Sequence, residues 1–199
     1  MTDDLSLKKQ ADTRMLGIVT SLGGAACLAF AVCSGNWLVN PGLGIAFGLR
    51  KVSGAMGIQL EDGASMSNGD FVAMVRGMGG ADDQVSGAWA PMGWVTTIAL
   101  VLSALGLAAA AGLALAKKKP TLPMSPSTGA LLGIMTSLIT GCVFVATKPG
   151  QAGLVGVGMA FWIFGVGAVA GIAGAQMLAK VNRPLDPDLM SDAMNPEQF

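Results

Sequence analysis

Four stretches of the chain are apolar throughout and contain no Asp, Glu, Lys or Arg. They extend over residues 15–33, 92–116, 129–147 and 151–179. An α-helix rises about 1.5 Å per residue, so about 20 residues cross the hydrocarbon core of a bilayer. Each stretch is close to this length or longer. The pattern therefore predicts an all-α membrane protein built on a bundle of four transmembrane helices.

The basic residues indicate how the predicted spans are oriented. Eight of the twelve lysines and arginines fall in the two termini and the loop after the second span, and four fall on the other side. An excess of Lys and Arg in short flanking segments marks the cytoplasmic side. We therefore expect both termini in the cytoplasm, with the chain in a plasma membrane or a bacterial inner membrane.

These boundaries divide the chain into nine segments. The predicted order is a cytoplasmic N-terminus (1–14), the first span (15–33), an outer segment (34–91), the second span (92–116), a cytoplasmic loop (117–128), the third span (129–147), an outer turn (148–150), the fourth span (151–179) and a cytoplasmic tail (180–199). Ala29-Phe30-Ala31 resembles a signal-peptidase site. We interpret the first apolar stretch as a retained span.

One apolar sequence motif occurs twice. Leu16-Gly17-Ile18 and Thr20-Ser21-Leu22 recur 116 residues later, starting at Leu132, and Leu115-Ala116-Lys117 recurs 63 residues later at Leu178. The two offsets favour a tandem 2+2 repeat of helical hairpins, whose first copy carries an insertion of 53 residues (116 minus 63). Chance reuse of a small apolar alphabet is the alternative.

Small residues recur every four positions within the spans, which places them on one helix face. In lipid, helices associate through close backbone approach and van der Waals contact, because there is little hydrophobic force between them. The sequence therefore predicts helix-packing faces. Their members are Gly17, Ser21 and Ala25; Gly133, Ser137 and Gly141; and Gly167, Gly171 and Ala175.

The aromatic residues divide into two groups. Trp37, Trp89 and Trp94 lie near the outer ends of the first two spans, where amphipathic rings anchor a protein at the headgroups. Phe161, Trp162 and Phe164 lie within the fourth span. We expect this second group to be core or lipid-facing bulk, with a hydrophobic ligand pocket as the alternative.

The outer segment 34–91 has the pattern of a small α+β subdomain. Apolar residues alternate from Leu43 to Val52, which predicts a strand, and residues 56–60 can pair with it across the Ser53-Gly54 turn signal. Residues 70–76 predict a short helix capped by Asn68 or Asp70.

The composition excludes most chemistry. The chain has no His, and the spans carry no ionisable Asp, Glu, Lys or Arg for ion coupling. Cys27, Cys33 and Cys142 lack metal or redox spacing. With 52% hydrophobic and 12% charged residues and a net charge of zero, no field attracts nucleic acid. We expect no enzyme activity, no cofactor and no metal.

Four spans, a long first outer segment with strands and a helix, a short second outer turn and cytoplasmic termini together resemble the claudin and peripheral-myelin-protein type of tetraspan. Trp37 and Gly48-Leu49-Arg50 are similar to that family's tryptophan and its Gly-Leu-Trp motif. Arg50 stands in place of the motif's aromatic residue, and the family's paired outer cysteines are absent between residues 34 and 91.

The function that we expect is therefore structural. The partners would be the lipid bilayer and other membrane-protein subunits or copies of the same chain, held through the small-residue faces. The alternative is the binding or transport of a hydrophobic small molecule or lipid between the helices.

Overall fold

The computed structural model describes residues 2–54, 65–78, 85–116, 125–150 and 154–181. Its described part is mostly helical, with one small antiparallel sheet. The elements in chain order are α1 (Thr2–Cys33), β1 (Leu38–Asn40), β2 (Ile45–Phe47), β3 (Lys51–Gly54), β4 (Ser65–Ser67), α2 (Asn68–Gly77), α3 (Trp89–Leu115), α4 (Pro126–Ala146), β5 (Gly156–Val157) and α5 (Met159–Val181).

Four helices are long and apolar enough to cross a membrane, which confirms the prediction of four such helices. The apolar portions are Asp12–Cys33, Trp89–Leu115, Pro126–Ala146 and Met159–Lys180. The shortest has 21 residues, which corresponds to about 31 Å of helix. Many of their large apolar side chains face outward, including Ile98, Leu105, Ile139, Val166 and Val169.

The four long helices pack side by side. α1 lies along α5, α3 lies along α4, and α1 also packs against α3. At one end, the side chain of Arg14 on α1 donates a hydrogen bond to the carbonyl of Ala114 on α3. This bond satisfies one of the carbonyls that the C-terminal turn of a helix leaves without an intrahelical partner. The opposite end of the bundle, which we call the sheet end, carries all five strands.

The strand order is β4-β3-β2-β1-β5, with every neighbouring pair antiparallel. The first four strands come from the connection between α1 and α3, and β5 comes from the connection between α4 and α5. Leu38 pairs with Val157, and Val39 pairs with Gly156. The sheet thus joins two connections that are far apart in the sequence.

The predicted strand over 43–52 is wrong as a single element. Gly48, Leu49 and Arg50 interrupt it, so that β2 and β3 form an antiparallel pair. Gly48 donates its N–H to the carbonyl of Lys51, at 2.8 Å, and closes the turn between them. The alternating pattern continued through this turn, and for that reason periodicity alone did not reveal it. The predicted strand over 56–60 lies outside the described residues.

The short predicted helix is present as α2, but a different residue caps it. The side-chain oxygen of Ser67 accepts the N–H of Asp70 at 3.1 Å. Asn68 is instead almost fully buried, and its amide donates to the carbonyls of Gly48 at 3.1 Å and Leu49 at 2.9 Å. Asn68 therefore fastens α2 to the turn between β2 and β3.

Candidate functional site

The contact between α1 and α5 is formed by small residues. A Cβ added to Gly24 would lie 2.7 Å from the backbone nitrogen of Gly171, and one added to Gly167 would lie 2.7 Å from the Cβ of Cys27. Such distances are shorter than the 3.5–4.0 Å of an ordinary carbon contact. A Cβ added to Gly174 would likewise collide with Ser21. The two backbones therefore touch along this interface.

The contact between α3 and α4 follows the same principle. A Cβ added to Gly133 would collide with the side chain of Ser103, whose hydroxyl donates to the carbonyl of Ala99 at 2.6 Å. The hydroxyl of Thr96 on α3 also donates to that of Thr140 on α4, at 2.8 Å. Close packing and one hydrogen bond between side chains therefore hold this pair of helices together.

All of the predicted helix-packing residues lie in contacts within this chain. Eight of them are buried, namely Gly17, Ser21, Ala25, Ser137, Gly141, Gly167, Gly171 and Ala175, and Gly133 is half-buried. The repeated motif serves the same purpose at both places, because Gly17 packs against Met177 and Leu178 of α5 while Gly133 packs against α3. These faces are therefore occupied by helices of the same chain, although Gly133 also lines a groove on the outside of the bundle.

An aromatic cluster connects the helices to the sheet. Trp37, which follows α1, lies with its ring centroid 5.3 Å from that of Phe164 and 6.3 Å from that of Phe144. Trp89, at the start of α3, stacks on the other side of the cluster, 5.2 Å from Phe144 and at an interplanar angle of 18°. Phe47 of β2 lies 5.8 Å from Trp89. These rings run without a break from the sheet into the bundle.

Trp37 and Trp89 are therefore not headgroup anchors, since both are fully buried. The indole N–H of Trp37 donates to the carbonyl of Ala31, at 2.7 Å, which satisfies its polar atom inside the protein. The indole N–H of Trp89 is also buried, and it has no hydrogen-bond partner among the described residues. The Trp37 ring packs against Phe144 and Phe164 of the helices, and the Trp89 ring packs between Phe144 and Phe47 of β2. Of the three predicted anchors, Trp94 is the exposed one, at 54%.

The three aromatic residues of α5 differ in how far they are exposed. Phe164 is buried in the aromatic cluster, and Phe161 is half-buried, with its centroid 6.0 Å from that of Trp37. Trp162 is 67% exposed on the outside of the bundle. The three rings therefore lie in different surroundings, from the buried cluster to the outside of the bundle.

An apolar groove lies instead on the outside of the α3–α4 pair. Its volume is about 350 Å³. The lining residues are Val95, Ile98, Ala99, Leu102, Gly129, Leu132, Gly133 and Thr136. At the sheet end, the guanidinium carbon of Arg50 lies 5.8 Å from the ring centroid of Trp94, which is a cation–π contact. No local sequence signal indicates this pairing, because its two residues are distant in the sequence.

Within the described residues there is no group of three or more His, Cys, Asp or Glu residues that could hold a metal ion. Cys27 is half-buried, whereas Cys33 and Cys142 are exposed, and all three are free thiols. Asp70 accepts a hydrogen bond from the hydroxyl of Ser67 at 2.7 Å, within the capping arrangement of α2.

Four long apolar helices and a small antiparallel sheet at one end define a mostly helical protein that is compatible with an integral membrane protein. Comparison with models of protein families, and with curated proteins, finds no match.

Proposed function

We propose that the chain is a non-catalytic integral membrane protein, a structural or accessory subunit that holds a rigid sheet at the outer membrane surface. Its four apolar helices form a transmembrane bundle, with both termini in the cytoplasm, and it associates with other membrane-protein subunits or with copies of itself. The observation that carries the proposal is the joining of both outer connections into one sheet, which buried aromatic rings clamp to the helices.

Backbone hydrogen bonds at the sheet end also tie the two helices of the α1–α5 pair to each other. Beyond the pairing of β1 with β5, the N–H of Gly158 donates to the carbonyl of Trp37 at 2.8 Å, and the N–H of Ala160 donates to the carbonyl of Asn36 at 3.1 Å. The start of α5 is thereby tied to the segment that follows α1. A sheet fixed to both α1 and α5 cannot tilt independently of the bundle, which suits a surface that is presented to a partner.

Because the small-residue faces pack against helices of the same chain, a partner would bind to another surface. The outward faces of the helices carry large apolar side chains, which lipid tails solvate as well as another apolar helix does. Specific contacts therefore fall to the exposed side of the sheet end, where Arg50, Lys51, Asp70 and Arg76 reach the surface.

We also propose that the architecture is of the claudin and peripheral-myelin-protein type. The strands and the helix of the long first connection, together with the short second connection, support this proposal. The missing pair of cysteines in the first connection separates the chain from that family's usual pattern. For this reason the proposal concerns the shared architecture and not a junctional role.

The topology is tested by cysteine labelling. In a background with Cys27, Cys33 and Cys142 replaced by Ala, Lys148→Cys should react with a membrane-impermeant maleimide added outside intact cells. Lys118→Cys should react only after the cells are opened. Labelling of both positions from the same side would contradict the transmembrane arrangement.

The subunit role is tested by extracting the native protein in a mild detergent and measuring the mass of its complex by native electrophoresis and light scattering. We expect a stable assembly much larger than the 20.0 kDa chain. The same sample in a harsh detergent serves as the dissociated control. A lone 20 kDa chain under mild conditions would contradict the proposal.

A further inference from the structure

We propose that a phospholipid of the outer leaflet occupies the groove between α3 and α4, with its phosphate at Arg50 and one acyl chain along the groove. The inference rests on the transmembrane arrangement proposed above. It adds a ligand class and a binding site to that arrangement.

The groove has the chemistry and the shape for an acyl chain. Ile98, Leu102 and Leu132 are exposed apolar side chains that form its walls, while Ala99 and Gly133 form its floor. Its volume of about 350 Å³ lies within the usual range of small-ligand sites. The groove forms because the residues at the contact between α3 and α4 are small. They leave an open space between the larger side chains that face outward.

A cationic site stands at the sheet end of this groove. Trp94 precedes Ile98 by four residues, so the two side chains lie on the same face of α3, one turn apart. Arg50 packs on the Trp94 ring and is exposed. Within the described residues no carboxylate pairs with the guanidinium of Arg50, which faces the Trp94 ring. Arginine binds phosphate oxygens with two parallel N–H donors, and tryptophan favours the headgroup region.

The charge at this position favours a phospholipid over a helix from a second copy of the chain. All four apolar stretches lack Asp and Glu, so a second copy's helix in the groove brings no carboxylate with it, and a carboxylate reaches Arg50 only from that copy's sheet end, where Asp70 is exposed. A phospholipid supplies both an anion for Arg50 and an apolar chain for the groove. Its phosphate lies at the height of the interfacial Trp94, and its acyl chain continues toward the membrane centre.

The test is native mass spectrometry of the full chain, purified in a mild detergent and titrated with dioleoyl phosphatidylglycerol. We expect one retained lipid for each chain. Arg50→Gln should weaken this binding about tenfold, the order expected when a charge-assisted hydrogen bond is lost. Lys51→Gln removes the neighbouring exposed charge and should bind as the wild type does.

A second pair of variants tests the groove itself. Thr136→Phe places a ring over the groove and should abolish retention of the lipid. The Thr136 hydroxyl donates to the carbonyl of Leu132 within the same helix, at 2.9 Å, so its loss breaks no contact between helices. Met135→Phe adds similar bulk at an exposed position that does not line the groove, and should leave binding unchanged.

Four results would overturn the proposal. They are equal binding by Arg50→Gln and the wild type, equal weakening by Lys51→Gln, equal retention of dioleoylglycerol, which has no phosphate, and a dimer that Thr136→Phe dissolves, which would assign the groove to a second copy. The cysteine labelling is independent of lipid retention, so a failure here is distinguishable from a failure of the transmembrane arrangement.

Discussion

Substitution of Gly24 by Ala should destabilise the bundle, although it adds a single methyl group to an apolar helix. The new Cβ would lie 2.7 Å from the backbone nitrogen of Gly171, 2.8 Å from its Cα and 3.1 Å from the carbonyl oxygen of Gly167. These are backbone atoms of α5, so no side-chain rotation can relieve the collision. The helices themselves have to separate.

The loss of stability caused by Gly24→Ala can be estimated from the distance by which α1 and α5 must separate. An ordinary carbon contact is about 3.5–4.0 Å, so α1 and α5 have to move apart by about 1 Å at this point. A gap of about 0.5–1 Å forfeits a quarter to a half of the attraction of each neighbouring atom pair. The contact of Gly167 with Cys27 and Leu28, a turn away on the same interface, would loosen as well. Overpacking of this kind costs about 1–3 kcal/mol, and the backbone collision places Gly24→Ala toward the upper value.

Gly23→Ala is the matched control, because a Cβ at this adjacent position meets no atom within 4 Å. Its free energy of unfolding should stay within about 0.5 kcal/mol of the wild type, as is usual for surface changes, or rise slightly through the better helix propensity of Ala. Both variants can be unfolded in mixed micelles by titration with sodium dodecyl sulfate, with tryptophan fluorescence as the signal. If Gly24→Ala and Gly23→Ala unfold at the same midpoint, the backbone contact between α1 and α5 is refuted.

Two further predictions use matched pairs. Trp37→Phe should lower the free energy of unfolding more than Trp89→Phe does, by about 1–2 kcal/mol, because the Trp37 indole makes a buried hydrogen bond and the Trp89 indole lacks one. The loss of monodisperse protein on heating, followed by gel filtration, measures the difference, and equal midpoints would contradict it. Thr140→Val should cost about 0.6–2 kcal/mol by removing the hydrogen bond between α3 and α4, whereas Thr136→Val, whose hydroxyl bonds within its own helix, should cost less. The same heating assay separates them, and a larger loss for Thr136→Val would show that the bond between the helices does not contribute.

The sequence predicts the four apolar helices because their signal is local and long. Twenty or so uncharged apolar residues have few alternatives to a helix of spanning length, whatever surrounds them. The helix from Asn68 to Gly77 was found for the same reason, since a cap, a short apolar run and a terminal glycine are all local. The predicted cap is the wrong residue. Ser67, Asn68 and Asp70 can all cap a helix, and tertiary contacts decide which of them does.

The partners of each element could not be predicted in this way. Gly171 belongs to a predicted packing face, but Gly24 is unremarkable in a chain with 29 glycines, and only the register of α1 against α5 brings the two together. Trp37 and Trp89 have the sequence positions of interfacial anchors, and only their tertiary contacts with the other aromatic rings make them core residues. The pairing of Val39 with Gly156 depends on residues more than a hundred positions apart, for which a single sequence contains no signal.

Small and large residues lie on different faces of the helices, and this distribution affects where a partner would be recognised. Small residues are turned inward, because a close approach of backbones is the main source of affinity between helices in lipid. The outward faces then consist mostly of large apolar side chains, and these do not distinguish a protein partner from the surrounding acyl chains. Directional recognition needs charged or hydrogen-bonding groups, and the exposed ones outside the apolar helices, such as Arg50, Lys51 and Asp70, belong to the sheet end. If the chain is a subunit, substitutions at these positions should release the partner while the bundle stays folded, whereas substitutions on the outward helix faces should leave the assembly intact.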